Sequence, residues 1–249
     1  MDWSPSTRSD SPFGGCRLTG SPATVGAQRF ADFWCNASQP LPDLLVLLAS
    51  TRTAEQQGIS AAGCTAAARR TTALADAELL LQGPSVPPLW SLPPLPAGVS
   101  PALISWVVCQ QLGLDPQIAA LGLSVPPHFP HLRFEDPRCG PGECVSSGTA
   151  MVTERVKQLL QRGRRLGQHL RRPLVLAECV PGGTTTALAI LTGLGLPVQT
   201  LVSGSALHPP MALKQRLVSE GLSRLPCDRQ IDAVSLLAAV GDPFQALAT

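Results

Sequence analysis

AECVPGGTTTAL, residues 177–188, separates two apolar runs and combines glycines and hydroxyls with a single acid. The preceding run, 173–177, is short and continuous, which predicts a buried strand. Gly182 and Gly183 permit a close backbone approach, and a helix that begins near Thr184 presents free N–H groups and the positive end of its dipole. Such a turn binds anions well, but the same residues also fit an ordinary strand-to-helix turn with Thr184 as the N-cap.

Strand and helix patterns alternate outward from this stretch through most of the chain. Short apolar runs predict strands at 43–49, 117–121, 173–177 and 197–202. Longer or capped patterns predict helices at 64–82, 100–113, 152–170, 184–194, 210–220 and 228–239. This order predicts an α/β fold, with a Rossmann-like, mostly parallel sheet and helices on both faces. Ligands of such sheets bind beyond the carboxyl ends of the strands, so the loops that follow strands are the candidate sites.

Composition and length favour one globular α/β domain over 41–249, preceded by an irregular or disordered arm over 1–40 that is rich in Ser, Pro, Gly and Arg. Hydrophobic residues make up 44% of the chain and the net charge is only +2, which argues against a nucleic-acid partner. The first residues lack the features of a signal peptide, and no apolar run is long enough for a membrane span.

The eight cysteines are mostly scattered singly. We therefore expect reduced thiols and a cytoplasmic protein with no membrane partner.

Two further loops carry polar side chains that fit a pocket at the same edge. Ser50, Thr51 and Thr53 follow the first predicted strand, and Ser203 and Ser205 follow the last. These hydroxyls are candidate substrate ligands, although a capped, solvated turn explains the first loop and a helix lead-in explains the second. The 177–188 stretch has no Lys-Ser/Thr pair and so is not a Walker A motif, and the later loop contains no Gly-x-Ser-x-Gly elbow.

The remaining polar clusters favour structural interpretations. His128, His131, Cys139 and Cys144 match no common zinc spacing, so we expect no metal and no cofactor. The basic run between Arg162 and Arg172 favours a solvated helix face, with a phosphate or partner contact as the alternative. Two glycines, 163 and 167, interrupt the same predicted helix, and close packing against another backbone would explain them.

Together these segments resemble a known family. LVLAECVPGGTTTALAILTGLG, 174–195, resembles the signature segment of the nicotinate-nucleotide–dimethylbenzimidazole phosphoribosyltransferases, in the branch found in archaea and cyanobacteria. Four other segments are similar to that family: LVLLASTRTAEQQGISAAGCT (45–65), LPPLPAGVSPALIS (92–105), SGSALHPPMALKQRLV (203–218) and VSLLAAVGDPFQ (234–245). The resemblance covers nearly all of the chain after the N-terminal arm.

The resemblance implies transfer of the phosphoribosyl group of nicotinate mononucleotide to an aromatic base such as 5,6-dimethylbenzimidazole. Nicotinate is released, and the product is the lower-ligand nucleotide of cobamides. It also implies a homodimer that needs no cofactor, and it places Glu178 beside the ribose or base as a candidate catalytic residue. Five residues are implied as ligands of the substrate phosphate: Gly182, Gly183, Thr184, Thr185 and Thr186.

The sequence departs from this family in two places. Family chains continue beyond the segment that matches Val240–Pro243, and the carboxylate usually assigned as general base lies in that later part, whereas this sequence ends at Thr249. It also carries GPGE at 140–143, which resembles an insertion. We therefore expect a C-terminally truncated homologue with little turnover and an exposed sheet edge. The alternatives are an enzyme that is active alone or with a missing segment, a non-catalytic protein that binds the mononucleotide or a partner, and a different phosphosugar-handling protein.

Overall fold

The structure is a computed structural model that describes residues 41–93, 99–204, 206, 208–226 and 231–249. The predicted arm at 1–40 and the candidate Ser205 lie outside these residues. Within them, Pro42–Thr249 forms one compact unit. The strands are β1 Asp43–Ala49, β2 Pro116–Leu121, β3 Leu132–Arg133 and β4 Leu174–Cys179. The helices are α1 Ala66–Gln82, α2 Pro101–Leu112, α3 Thr153–His169, α4 Gly183–Gly193, α5 Met211–Leu222, α6 Ala233–Val240 and α7 Pro243–Ala248.

The predicted α/β fold with a parallel sheet is confirmed. The four strands lie in the order β3-β2-β1-β4, and every pair is parallel. β1 is central, and six of its seven residues are buried because helices cover both of its faces. β4 pairs with β1 on one side and has no strand on its other side among the described residues. This free edge exposes 40% of Leu176.

Alternate residues of β1 enter different cores, because successive strand side chains point to opposite faces. Leu44, Val46 and Leu48 pack with α1 and with Cys109 of α2. Leu45 and Leu47 pack on the opposite face with side chains from α3, α6 and α7. A third apolar cluster joins α4, α5 and α6 beside the sheet. Helices therefore lie on both faces of the sheet, as predicted.

The predicted ends of α2 are confirmed by its caps. The Ser100 hydroxyl accepts a hydrogen bond from the Ala102 amide at 3.2 Å, and Pro101 occupies the first helical position. Gly113 ends the helix with φ +64°, in the left-handed region that favours glycine. A side-chain cap thus fixes the first end of this helix, and the backbone conformation of a glycine fixes the second.

Only one of the two α3 glycines is explained by close packing. A Cβ on Gly163 would lie 2.0 Å from the carbonyl oxygen of Leu247 in α7, so a side chain there would collide with backbone. Gly167 has no atom within 4 Å of the corresponding position. Val156 and Leu159 of this helix are fully buried. Val152, the first residue of the predicted helix, is 71% exposed because it is the N-cap and lies outside the helix.

The predicted strand at 197–202 is wrong. The segment forms a turn in which the Leu201 amide donates to the Val198 carbonyl at 2.9 Å, and Leu201 is 74% exposed. Pro197 has no N–H to donate to a strand ladder, and Gly195 precedes it with φ +79°. The chain turns sharply after α4 for these reasons.

Candidate functional site

Two of the loops singled out in the sequence lie side by side at the carboxyl edge of the sheet. β1 and β4 are in register up to Leu48 and Cys179, so the loop after each strand begins at the same level. A short 3₁₀ helix, Arg52–Glu55, follows β1, and the turn that leads into α4 follows β4. A Cβ on Gly182 would lie 3.0 Å from the Ala54 amide nitrogen. Glycine is therefore required for this contact between the two loops.

The turn into α4 is capped by glycine. Gly182 is the N-cap, has φ +83°, and contributes no side-chain cap to the helix, which begins at Gly183. The interpretation of Thr184 as N-cap is therefore wrong, because Thr184 already lies in the first helical turn. Its amide has no acceptor among the described residues. The helix thus presents a donor and the positive end of its dipole at this edge.

The three threonines that follow have different environments. Thr184 is exposed, whereas Thr185 and Thr186 are buried. The Thr186 hydroxyl lies 2.5 Å from a carboxylate oxygen of Asp242 and 2.9 Å from the Gly183 carbonyl, so it is bound within the fold. The Thr185 hydroxyl has no hydrogen-bond partner among the described residues. Thr184 is the threonine best placed to meet a ligand from solvent.

A buried lysine that the sequence interpretation missed lies against Thr184. Lys214 of α5 is only 1% exposed, and its Nζ donates to the Thr184 hydroxyl at 2.9 Å and to the Ser203 carbonyl. Burial lowers the pKa of this ammonium. Both of its partners are neutral oxygens, and no carboxylate of the described chain forms a salt bridge with it. An anion near Thr184 would supply the missing negative charge.

Gly204 completes this arrangement. A Cβ at Gly204 would lie 3.5 Å from the Lys214 Nζ and 3.8 Å from the Thr184 hydroxyl oxygen. The loop after α4 therefore passes beside both groups. We call the group formed by Gly182, Gly183, Thr184, Lys214 and Gly204 the anion cradle. It combines a helix N-terminus, an exposed hydroxyl and a cation, which together suit a phosphate.

Two carboxylates flank the anion cradle. Glu178 is the second-last residue of β4, and its Oε1 would be 4.0 Å from a Cβ on Gly183. Its pKa is raised, first by partial burial and then by the charge of Asp242. Asp242 is 1% exposed and caps α7, where its carboxylate accepts the Gln245 amide at 3.0 Å. Burial raises the pKa of Asp242 as well. Glu178 therefore faces the cradle as a carboxyl group that holds its proton more tightly than usual.

The candidate hydroxyls after β1 support the loop from within. Thr51 caps the 3₁₀ helix by accepting the Thr53 amide at 3.2 Å, and Thr53 accepts the Val145 amide at 3.0 Å. The GPGE segment docks here too, because the Gly142 amide donates to the Ser50 carbonyl at 3.0 Å. Ser50, Thr51 and Thr53 are all buried. These contacts give the residues a role in holding the 140–145 loop against the site.

Arg69 of α1 anchors the same 3₁₀ helix. Its guanidinium is 6% exposed and donates to three carbonyls: Ala54, Gly63 at 2.7 Å and Gln56 at 3.3 Å. Because Ala54 also contacts Gly182, this arginine fixes one wall of the cradle. A cavity of about 10 Å³ between the loops, bordered by Ser50, Arg69 and Pro181, has room for a water molecule only.

Within the described residues, no group of three histidine, cysteine or acidic side chains is arranged to hold a metal ion. The five cysteines in this part of the chain are free thiols. None of the described helices is long and apolar enough to cross a membrane.

No family profile matches the sequence. The chain is similar to cyanobacterial UPF0284 proteins. It is 57% identical over 235 residues to one from Parasynechococcus marenigrum strain WH8102, which covers 94% of this chain and 59% of the relative. It is 57% identical over 234 residues to one from Prochlorococcus marinus strain MIT 9313. That match covers 94% of this chain and 58% of the relative. The chain therefore spans about three-fifths of the length of these curated relatives.

Solved structures share the fold. The nicotinate-nucleotide-dimethylbenzimidazole phosphoribosyltransferase of Thermus thermophilus superimposes with a TM-score of 0.56 at 18% sequence identity, covering 84% of this chain and 56% of that one. A second structure, of CobT from the same organism, gives a TM-score of 0.56 at 19% sequence identity. This superposition covers 84% of this chain and 57% of that one. This likeness shows the architecture that the UPF0284-like chain adopts.

Sequence reasoning found the glycines and Thr184 of the cradle but not Lys214 or the role of Asp242. Both residues lie in segments whose resemblance to the family was already noted, 203–218 and 234–245. A buried lysine without an acidic partner has no local sequence signature, because its burial depends on the packing of α5 against α4. Ser203 takes part through its backbone carbonyl, and its side chain is exposed.

Proposed function

We propose that this chain is phosphoribosyltransferase-like and that its anion cradle holds the phosphate of nicotinate mononucleotide during synthesis of a cobamide lower ligand. The observation that carries this proposal is the buried ammonium of Lys214 against Thr184, at the N-terminus of α4. A charge-assisted bond from an ammonium to phosphate is about twice as strong as a neutral one, and the helix dipole adds to it. The family resemblance and the shared fold with a phosphoribosyltransferase support the choice of ligand.

The reaction proposed for this site is a glycosyl transfer. A ring nitrogen of the acceptor base bonds to the anomeric carbon of the ribose while the bond from that carbon to the nicotinate nitrogen breaks. Nicotinate leaves with the bonding electron pair. The acceptor loses its ring N–H proton to a general base, which is a separate group from the aromatic acceptor. Glu178 lies beside the cradle, with its Oε1 4.0 Å from the position of a Cβ on Gly183. We assign it to the ribose, where its ionised form would stabilise positive charge on the sugar. The acceptor is an aromatic base such as 5,6-dimethylbenzimidazole.

Calorimetric titration of nicotinate mononucleotide into the wild-type chain and a Lys214→Met variant tests phosphate binding. Loss of a bond to a charged group costs about 1.5–3 kcal/mol, so the variant should bind roughly 10- to 150-fold more weakly. Lys214→Arg keeps the charge and should retain most of the affinity. Nicotinate riboside, which lacks the phosphate, should bind wild type and Lys214→Met equally. Arg162→Met, on the exposed face of α3, is the matched control and should bind like wild type.

Equal mononucleotide affinity in wild type and Lys214→Met would overturn the cradle. A separate assay addresses turnover: nicotinate release is followed by chromatography after mixing the chain with the mononucleotide and 5,6-dimethylbenzimidazole. Release that depends on the acceptor supports the transferase. Binding without release at high protein concentration would restrict the activity of this chain to binding of the mononucleotide.

A further inference from the structure

Asp76 of α1 meets the last residue of β4 at the carboxyl edge of the sheet. The Cys179 thiol donates to Asp76 Oδ2 at 3.4 Å, and the Ser100 hydroxyl donates to Asp76 Oδ1 at 3.1 Å. Cys179 directly follows Glu178 and packs against the apolar cluster under α1. Because successive strand side chains point to opposite faces, Asp76 and Glu178 approach the end of β4 from opposite sides.

The carboxylate of Asp76 has only neutral partners. Within the described residues it takes part in no salt bridge, and its two side-chain hydrogen-bond donors are a thiol and a hydroxyl. Burial raises the pKa of the Asp76 carboxyl, although the bonds from Cys179 and Ser100 oppose the rise. The residue is half-buried rather than enclosed. Asp76 is therefore a stronger base than an ordinary exposed aspartate, and solvent still reaches it.

Three other carboxyl groups near the anion cradle are already engaged. Glu55 and Glu143 each form a salt bridge with an arginine, at 2.9 and 3.2 Å, and such a partner makes a carboxylate less ready to take up a proton. Asp242 is 1% exposed and caps α7. Glu178 is assigned to the ribose. Asp76 is thus the carboxyl group at this edge that is both accessible and without a cationic partner.

A cavity of about 380 Å³ lies beside the Ser100–Asp76 pair, because Ser100 also borders it. The cavity lies between α1, α2 and the connection that joins them, and most residues at its border are apolar. Among them are Leu79, one helical turn after Asp76, and Leu103 of α2. None of the described residues at the border is a lysine or arginine. Small-molecule sites typically measure about 300–1,000 Å³, so the cavity suits an aromatic ring system and not a phosphate.

We propose that Asp76 is the general base that takes the ring N–H proton of the aromatic acceptor, whose rings occupy this cavity. The inference rests on the transferase reaction proposed for the anion cradle. One ring nitrogen of the acceptor bonds to the anomeric carbon while the bond to nicotinate breaks, and nicotinate keeps the electron pair of that bond. The other ring nitrogen loses its proton to the Asp76 carboxylate, so the base of the new nucleotide is neutral.

Nicotinate release with 5,6-dimethylbenzimidazole, compared between wild type and Asp76→Ala, tests the proposal. The variant should turn over about 10²- to 10⁴-fold more slowly, while its affinity for nicotinate mononucleotide stays unchanged. Added formate, a small carboxylate, should restore part of the rate by entering the space left by the missing carboxyl group. Asp115→Ala is the matched control and should turn over like wild type, because Asp115 is exposed and precedes β2 at the opposite edge of the sheet.

An acceptor without an N–H separates proton removal from support of the fold. The N-methyl derivative of 5,6-dimethylbenzimidazole can still attack through its other ring nitrogen, but it has no proton to lose. Wild type and Asp76→Ala should therefore release nicotinate at equal rates with this acceptor. Should the alanine variant fail to fold, Asp76→Asn keeps an oxygen that can accept the Ser100 hydroxyl, and it should show the same loss with 5,6-dimethylbenzimidazole.

Equal rates of wild type and Asp76→Ala with 5,6-dimethylbenzimidazole would overturn the proposal, as would an equal loss of rate with the N-methyl acceptor. A wild-type chain that binds the mononucleotide but releases no nicotinate would also overturn Asp76 as a base, while the anion cradle would stand. Failure of the cradle itself has a different result, which is equal mononucleotide affinity of wild type and Lys214→Met.

Discussion

The ammonium of Lys214 lies 2.9 Å from the hydroxyl oxygen of Thr184, so a cation from α5 reaches the first turn of α4. Both groups come from helices that pack against each other, and neither depends on a long flexible loop. The ammonium is buried, and its partners in the described chain carry no charge. The fold therefore holds an uncompensated positive charge at a helix N-terminus, where a bound anion would be stabilised.

The affinity for nicotinate mononucleotide should fall as the pH rises through the lowered pKa of Lys214, at a pH below the ordinary lysine value of 10.5. Only the protonated amine attracts phosphate. Lys214→Arg should show no such fall, because arginine stays charged throughout this range. Calorimetric titration of the mononucleotide from about pH 7 to about pH 10 measures the affinity of wild type and of Lys214→Arg. A flat wild-type profile would show that Lys214 does not contact the ligand.

The lowered pKa of Lys214 also predicts how the stability of the fold depends on pH. Between the lowered pKa and 10.5, the unfolded chain binds more protons at Lys214 than the folded chain does. The contribution of Lys214 to the free energy of unfolding therefore rises with pH in this range. Lys214→Met should lose that rise. Urea denaturation at several alkaline pH values, compared between the two proteins, gives the difference. An identical slope in both would contradict the assigned burial of the ammonium.

Asp242→Asn should lower the pKa of Glu178. The Asp242 charge is the second cause of the raised Glu178 pKa, after burial, so the value should fall but remain above that of an exposed glutamate. Asparagine is also a good N-cap and can still bond the Thr186 hydroxyl, so α7 should remain folded. A ¹³C-NMR titration of the Glu178 carboxyl carbon measures the shift. No change would mean that the two carboxylates do not interact.

Gly163→Ala and Gly167→Ala should have opposite effects on stability. A methyl group on Gly163 would overlap the Leu247 carbonyl, which should lower the free energy of unfolding by about 3 kcal/mol. Gly167 has open space and lies in the same helix, so alanine should stabilise by roughly 1 kcal/mol. Urea unfolding of both variants provides the comparison. Similar effects at the two positions would contradict the packing of α3 on α7.

Arg69→Met should loosen the 3₁₀ helix Arg52–Glu55. Removing the guanidinium leaves the carbonyls of Ala54 and Gly63 without donors, at a cost of about 1–3 kcal/mol for each carbonyl that stays buried. Hydrogen exchange at the Ala54 and Gln56 amides should accelerate. Arg70→Met is the matched control, because Arg70 forms an exposed ion pair with Glu55 and its loss should change little. Equal exchange in both variants would remove the anchoring role of Arg69.

Local chemistry in the sequence was enough to predict much of the architecture. The apolar run of β1, the caps of α2 and the two glycines at the start of α4 depend on neighbouring residues, so short windows of sequence reveal them. The strand predicted at 197–202 is a turn, because a short apolar run in the sequence fits a turn as well as it fits a strand. The helix predicted at 152–170 is one residue too long at each end, because Val152 and Leu170 are the caps of α3 and lie outside it.

The sequence by itself determined the parallel α/β fold and the position of the glycine turn at the edge of the sheet. Strand periodicity, helix caps and glycine conformation act over a few residues, and the order of elements restricts their topology. Only the tertiary structure decided which polar groups meet there. Lys214 reaches Thr184 from 30 positions away, and Asp242 reaches Thr186 from 56, because separate helices pack beside α4. Burial of a charge is a property of such packing, and so the cradle's cation became visible only in three dimensions.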